Sequence, residues 1–315
     1  MPAKKPLHLR AGEIPPGLLR YRQLVPDWPD FLAALQRPLL PALWLNTLRH
    51  PAGDVREFCG LDPAGVQRLP WWDLALRLPS GARPGKWPGW TLGLFHIQEE
   101  VSMLPVMLLD PRPGEMVLDL CAAPGNKSLQ AAVLMRNRGT VLANDIDPMR
   151  LRGLKMNAAR LGVLNISTTV GDGRSFSGER NLWDRVIVDV PCSCEGTARK
   201  NAGVFAHGYQ PGVPFQRGVQ TAVLKRAVNL CRPGGRIVYS TCTFRPEENE
   251  EVVDQVLQDG RVRMLPARLP GWKTSPGLQM AGERALHSDL PKALRIWPHQ
   301  NDSGGFFIAL LEKLP

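Results

Sequence analysis

Residues 117–128 read VLDLCAAPGNKS. A short apolar run ends in an acid, small residues follow, and Gly125 precedes the polar start of an amphipathic segment. That is the pattern of a strand, a tight turn and a helix, and the small residues Ala122, Ala123 and Gly125 let backbone approach a ligand closely. It is not a phosphate-binding P-loop, because Asn126 rather than glycine precedes Lys127. It is a poor dinucleotide fingerprint, because only one of the three glycines is present.

The same alternation continues outward. Strands are expected at Met116 to Leu120, Thr140 to Ala143, Ile166 to Val170, Arg185 to Val190, Arg236 to Ser240 and Phe306 to Leu311. Helices are expected at 97–108, kinked by Pro105, and at Lys127 to Arg136, Pro148 to Leu161, Phe215 to Leu230 and Pro246 to Gln258. Near-continuous apolar strands alternating with helices imply an α/β fold whose parallel sheet is wrapped on both faces. Ligands in such sheets bind outside the carboxyl ends of the strands. Asp145, Asp172 and Asp189 all fall there, and Asp145 follows Asp119 by 26 residues, the spacing of a ribose-binding acid. Carboxylates in a row suit a ligand with ribose hydroxyls, an exocyclic amine and an ammonium group. S-adenosylmethionine carries all three and no phosphate. The competing reading is that single acids are helix N-caps, with Asp147 rivalling Asp145.

Two further stretches carry the chemistry: VIVDVPCSCEG at 186–196 and YSTCTF at 239–244. Each is an apolar run ending in a cysteine, and the first also ends in Asp189. Cytosine C5 is a poor nucleophile until a thiolate adds to C6; the covalent adduct then attacks a methyl donor, loses the C5 proton and expels the cysteine. Cys242, Cys192 and Asp189 can supply the thiols and the acid. Cys59, Cys121 and Cys231 read as inert buried thiols, and Cys194 has no assigned role. The sequence contains no Cys-x-x-Cys pair, so no metal is expected.

The 315 residues hold 39 Lys and Arg against 29 Asp and Glu, a net charge of +10, which favours a polyanion such as RNA. No apolar run reaches the ~18 residues of a membrane span. The basic N-terminus lacks the apolar core of a signal peptide, and a reducing cytoplasm is expected. Three segments are expected: a Pro-rich arm at 1–25, a small α+β domain at 26–95, and a catalytic domain at 96–315. Within the second, Leu43 to Leu48 and Leu74 to Leu78 read as strands, Asp54 to Cys59 as a short helix, and Ser80 to Gly93 as a loop. Arg174, Arg199, Lys200, Arg217, Lys225 and Arg226 are candidate phosphate contacts. Trp71, Trp72, Trp87 and Trp90 either stack on unpaired bases or fill the small domain's core.

These stretches together resemble the NOL/Sun (Fmu, RsmB/RsmF-like) family of RNA cytosine-5 methyltransferases. The resemblance rests on HIQEEVSM (96–103), VLDLCAAPGNKS, ANDID with Arg150, GDGR, DVPCS with GTARKN, RPGGRIVYSTCT, PEENEEVV (246–253), and RIWPH before GGFF, and it covers 96–311. It implies a Rossmann-like S-adenosylmethionine-dependent methyltransferase domain with a seven-stranded, mostly parallel sheet. It implies that Cys121, Ala122, Ala123, Pro124, Gly125, Asn126 and Lys127 form the methionine-side loop. Asp145 would take the ribose, Asp172 would lie near the adenine, and Asp189 near the methionine and the base. Cys242 would be the nucleophile and Cys192 the releasing thiol. The substrate would be tRNA or rRNA, bound with help from the small domain signalled by NTLR (46–49), and the enzyme a monomer. Three positions depart from the family pattern: Asn126 and Cys194 stand where glycine is common, and Trp44 where an Arg often precedes the Asn-Thr pair. Within enzymes, the alternative is methylation of another nucleobase or a protein side chain; outside them, a ribosome-assembly factor that binds RNA without turnover.

Overall fold

The computed structural model describes residues 7, 14–49, 65–205 and 213–315. The helix expected at Asp54 to Cys59 lies outside them.

The first sheet is built from β1 (Ala42–Leu45), β2 (Gln67–Leu69), β3 (Trp72–Arg77) and β4 (Phe95–Ile97), in the order β2-β3-β1-β4, with antiparallel pairing throughout. The stretch expected as a loop at 80–93 contains a 3-10 turn at Pro84–Lys86 and a helical turn at Pro88–Thr91, each started by proline.

The second sheet begins with β5 (Met116–Asp119), β6 (Thr140–Asp145), β7 (Ile166–Val170), β8 (Trp183–Asp189) and β9 (Cys231–Thr241). These five pair in parallel in the order β7-β6-β5-β8-β9, so the chain reverses its direction of travel across the sheet between β5 and β8. The expected α/β class is borne out. The strand count differs, with nine strands where seven were expected. Beyond β9 lie four antiparallel members: β10 (Val262–Met264), β11 (Ser275–Pro276), β14 (Leu294–Ile296) and β15 (Phe306–Lys313). β15 pairs with β9, and β10 and β14 share its outer edge end to end. A hairpin of β12 (Met280–Ala281) and β13 (Arg284–Ala285) stands apart.

Successive residues of β8 show why its sequence is apolar throughout. Val186 and Val188 join one core with Leu224, Val228 and Val252; Ile187 joins the other with Leu104 and Leu129. Both faces are covered, and each fully buried aliphatic contributes roughly 1.5–3 kcal/mol. The helix Glu100–Leu109 continues through Pro105, which the sequence marks as a kink. Burial of Val101, Met103, Leu104, Val106 and Leu109 offsets the lost backbone hydrogen bond.

The segment expected as an arm is packed down from residue 14 onward. Leu18, Tyr21, Val25 and Phe31 share a core with Phe205, Phe244 and Trp297, beside the loop that carries Cys242.

Candidate active site

β5 delivers Asp119 to the start of the loop. Its carboxylate accepts from Ser128 Oγ at 2.6 Å and from the Cys121 amide at 3.3 Å, tying strand end to helix start. Burial lifts this carboxyl to about 7, against the opposing hydrogen bond from Ser128. Gly125 turns the chain at φ 106°, and a Cβ there would lie 2.6 Å from Leu154 Cγ, so only glycine fits. Arg150 donates to the Ala123 carbonyl at 2.5 Å.

Asn126 opens the next helix and faces the small sheet. Arg160 donates to His96 Nδ1 at 2.9 Å, which leaves the proton on Nε2, and that nitrogen donates to Asn126 Oδ1 at 3.0 Å. Burial drives His96 down to about 4 and keeps it neutral. The side chain that a glycine would lack therefore joins the ligand loop to β4. In the sequence His96 stands out only as part of HIQEEVSM; its role arises because β4 lies over the loop.

β6 ends in Asp145, which accepts from the amides of Ala123 and Asp147, both at 2.9 Å. The helix cap is Asp147, whose side chain takes the Met149 and Arg150 amides, so Asp145 is left to the ligand side. A cavity of about 530 Å³ runs past it, walled by Leu120, Ile146, Val219 and Val223 and edged by Asp145 and Asp172. Asp172 is held by Arg174 at 2.5 Å. Gln216 Oε1, on the same wall, is buried without a partner; no motif or spacing marks this residue in the sequence.

A second cavity, of about 390 Å³, shares Cys121, Asp145, Arg150 and Pro191 with the first and continues to Lys127, Asp189, Cys192, Cys194 and Cys242. Ala123 and Pro124 line it too. Ala122 and Asn126 line a third, of about 120 Å³, beside Asp119. Gly125 lines none of the three and acts through its backbone. The result is one groove along the carboxyl ends of the parallel strands, apolar and acid-edged at one end, thiol-lined at the other.

Asp189 on β8 lies opposite Ser240 on β9. Its carboxylate accepts from Ser240 Oγ and Lys127 Nζ, each at 2.6 Å. Beyond it the two strands carry Cys192 and Cys242, whose sulfurs are 3.5 Å apart. The Gly196 amide donates to the Cys242 carbonyl at 2.9 Å, and the Gly305 amide to the Gly196 carbonyl at 2.9 Å. Ser193 and Thr243 hydroxyls meet at 2.6 Å. Glu195 accepts from Arg245 Nε at 2.8 Å and from the Tyr21 hydroxyl, fastening residues 14–35 to both cysteine loops.

Cys194 sits at φ 59°, ψ 21°, the left-handed conformation that favours glycine. Its sulfur donates to the Cys192 carbonyl at 3.3 Å. The thiols share charge: hydrogen bonds from Cys192 and then Cys242 pull Cys194 down, while the bond with Cys194 pushes Cys192 up. At Cys242 the bond from Cys192 lowers the thiol, but Cys194 and burial outweigh it and raise it.

The basic candidates fare differently. Arg199 is buried and donates to the carbonyls of Arg37, Pro38 and Ser303, so it is a structural clamp and not a phosphate contact. Arg174, Lys200, Arg217 and Lys225 form ion pairs with Asp172, Glu99, Glu251 and Asp259. Arg226 donates to the Phe176 carbonyl. The tryptophans pack: Trp72 is buried, Trp71 meets Trp272 edge-on, Trp87 meets Phe95, and Arg160 covers one face of Trp90 at 3.2 Å. In NTLR, Asn46 donates to the carbonyls of Gly93 and Leu161, both at 2.8 Å, and joins the two sheets' units. Trp44, at the position where the family often carries Arg, is buried and donates to Gln98 at 2.8 Å. No helix among the described residues is long and apolar enough to cross a membrane.

The family model described as 16S rRNA methyltransferase RsmB/F matches residues 106–312. The tRNA (cytosine(49)-C(5))-methyltransferase of Pyrococcus abyssi is 38% identical over 93% of this chain and 94% of its own length. The ribosomal RNA small subunit methyltransferase F of Erwinia tasmaniensis is 36% identical over 95% of this chain, which spans only 63% of that enzyme. A crystal structure of a methyltransferase homologue from Pyrococcus horikoshii superposes with a TM-score of 0.77 at 33% identity, covering 90% of each chain. By its matched residues, its relatives and its fold, the chain belongs to the NOL/Sun (RsmB/F) family of RNA cytosine-5 methyltransferases.

Proposed function

We propose that this enzyme methylates C5 of a cytosine in tRNA or rRNA, with Cys242 as the covalent nucleophile and Cys192 as the releasing thiol. The observation that carries the reading is the 3.5 Å approach of the two sulfurs beside Asp189, in a cavity continuous with an acid-edged groove.

The groove fits S-adenosylmethionine by its donor set. Asp145 can accept from ribose hydroxyls, the apolar wall of Leu120, Ile146, Val219 and Val223 suits a flat purine, and Asp172 and the unpartnered Gln216 oxygen edge that wall. Asp189 and the loop 121–127 would hold the methionine end. When bound, S-adenosylmethionine supplies an electrophilic methyl group.

Cys242 sulfur adds to C6 of the cytosine, and the ring's C5–C6 double bond shifts its electrons toward N3 and C5. Asp189, oriented by Ser240 and Lys127, faces the polar edge of the base, passes to N3 the proton that the Cys242 thiol gives up, and takes it back when the sulfur leaves. After C5 has been methylated, Cys192 assists removal of the C5 proton, the C5–C6 double bond re-forms, and the Cys242 sulfur leaves. The target base must stand out of its helical stack to reach the cavity.

Reduced catalytic thiols and an RNA substrate support the cytoplasm as its place of action. The small domain, 26–95, together with the net charge of +10, supplies RNA contact beyond the cavity.

The test is incubation with methyl-labelled S-adenosylmethionine and either tRNA or ribosomal RNA, followed by digestion to nucleosides. Labelled 5-methylcytidine is expected from one of the two. Label in another nucleoside, in protein or in nothing would overturn the reading.

A further inference from the structure

Cys194 takes no part in the reaction just described, yet its sulfur lies with those of Cys192 and Cys242 in a cluster where every sulfur–sulfur separation is within 4.8 Å. Two of the three come from one loop, and Cys242 arrives from the neighbouring strand, 50 residues on. Sequence spacing alone therefore shows only an isolated Cys-x-Cys.

A tetrahedral cation with metal–sulfur bonds of about 2.3 Å holds its sulfurs about 3.8 Å apart. The Cys192–Cys242 separation of 3.5 Å is already near that value. Thiolates select soft or borderline cations over magnesium or calcium. The three thiols are partly exposed and line the 390 Å³ cavity, so both an entry path and room for a fourth ligand exist. Glu99, Asp145 and Asp189 line the same cavity against Lys127 and Arg150, so no excess of positive charge repels a cation. The left-handed backbone at Cys194 is what brings the third sulfur in, although glycine would hold that turn with less strain.

We propose that Cys192, Cys194 and Cys242 form a capture site for a thiophilic divalent cation, of the zinc or cadmium class, whose binding reversibly switches the enzyme off. Capture releases the thiol protons to solvent and occupies both sulfurs that the reaction uses. The switching half rests on the reading of Cys242 and Cys192 as catalytic; the capture half does not.

The experiment titrates the reduced full-length chain with cadmium under anaerobic conditions, following the ultraviolet sulfur-to-cadmium charge-transfer band. Zinc inhibition of RNA methylation is measured in parallel. Cys194→Gly suits the left-handed turn, and the zinc inhibition of each variant is read relative to its own metal-free rate. Cys194→Ser is a second variant that keeps the side-chain shape and removes the soft ligand. Both should bind cadmium roughly 100-fold more weakly than the parent, since one of about four ligands is lost. The zinc concentration that halves methylation should rise by the same factor. Equal cadmium affinity and an equal band in parent and variants would overturn the proposal. Cadmium capture that depends on Cys194, with methylation untouched by zinc, would uphold the capture site and overturn the assignment of the catalytic thiols instead.

Discussion

Ser240 Oγ lies 2.6 Å from Asp189 Oδ1, and the two residues face each other in register on the parallel strands β9 and β8. Asp189 lines the catalytic cavity, Ser240 is buried, and Cys192 and Cys242 follow just beyond the two strand ends. Lys127, in the first turn of the helix that follows β5, holds the other carboxylate oxygen. Two strand ends and a helix start thus fix one acid, and the acid's direction fixes which edge of a base can enter.

Ser240→Ala removes one of the two hydrogen bonds that orient the Asp189 carboxyl, an interaction of about 1–3 kcal/mol. The expected result is a fall of roughly 10- to 100-fold in kcat/KM for RNA methylation with the fold intact. Steady-state rates on an RNA transcript, with a thermal melt as control, check it. An unchanged rate would remove Asp189 from the reaction.

Gly196 is pinned between two backbones. A Cβ there would lie 2.2 Å from the Gly305 carbonyl oxygen and 3.0 Å from that of Cys242. Gly196→Ala should cost about 1–3 kcal/mol of stability and slow methylation, because the Cys242 loop must move. Gly218→Ala, where an added Cβ meets nothing within 4 Å, is the control and should be neutral or slightly stabilising. Chemical denaturation of the two variants separates these outcomes.

The Glu195–Arg245 pair is buried at 2.8 Å, with side-chain exposures of 2% and 3%. Arg245→Met strands a carboxylate and should destabilise by about 3–5 kcal/mol. Replacing both residues with methionine should recover much of that loss. Tyr21→Phe, which removes only one donor to Glu195, should cost about 1–3 kcal/mol. Urea midpoints of the three variants test the ranking.

Asp119 gives stability a pH dependence of definite sign. Its folded carboxyl sits near 7, raised by burial, while the unfolded chain titrates near 4. Between those values the native state holds the extra proton, so stability is greatest at the acid side and falls as pH rises through the window. From pH 5 to pH 8 this one group should cost about 2–3 kcal/mol. Asp119→Asn should remove that decline, as measured by denaturation at both pH values for both proteins.

The parallel half of the sheet was readable because its strands bury both faces and are apolar throughout, with acids only at their ends. Asp145, Asp189, Cys192 and Cys242 were readable for the same reason: polar groups stand out at the ends of such runs. Of the antiparallel additions only β15 was readable, as the apolar run Phe306 to Leu311; β10, β11 and β14 hold two or three residues each and show no periodicity. Arg199 could not be told from a surface arginine, because its partners at 37, 38, 302 and 303 are distant in sequence. The same holds for Tyr21, read as part of an arm, and for His96, whose partners come from 126 and 160.

The division of labour between the two thiols is the centre of the account, and covalent trapping tests it most directly. Cys192→Ala and Cys242→Ala proteins are each incubated with RNA and S-adenosylmethionine, then run on a denaturing gel. Cys192→Ala should retain a protein–RNA adduct that survives denaturation, because attack proceeds and release fails. Cys242→Ala should form no adduct and lose methylation by roughly 10⁴-fold or more. An adduct from Cys242→Ala and none from Cys192→Ala would contradict the assignment and exchange the two roles.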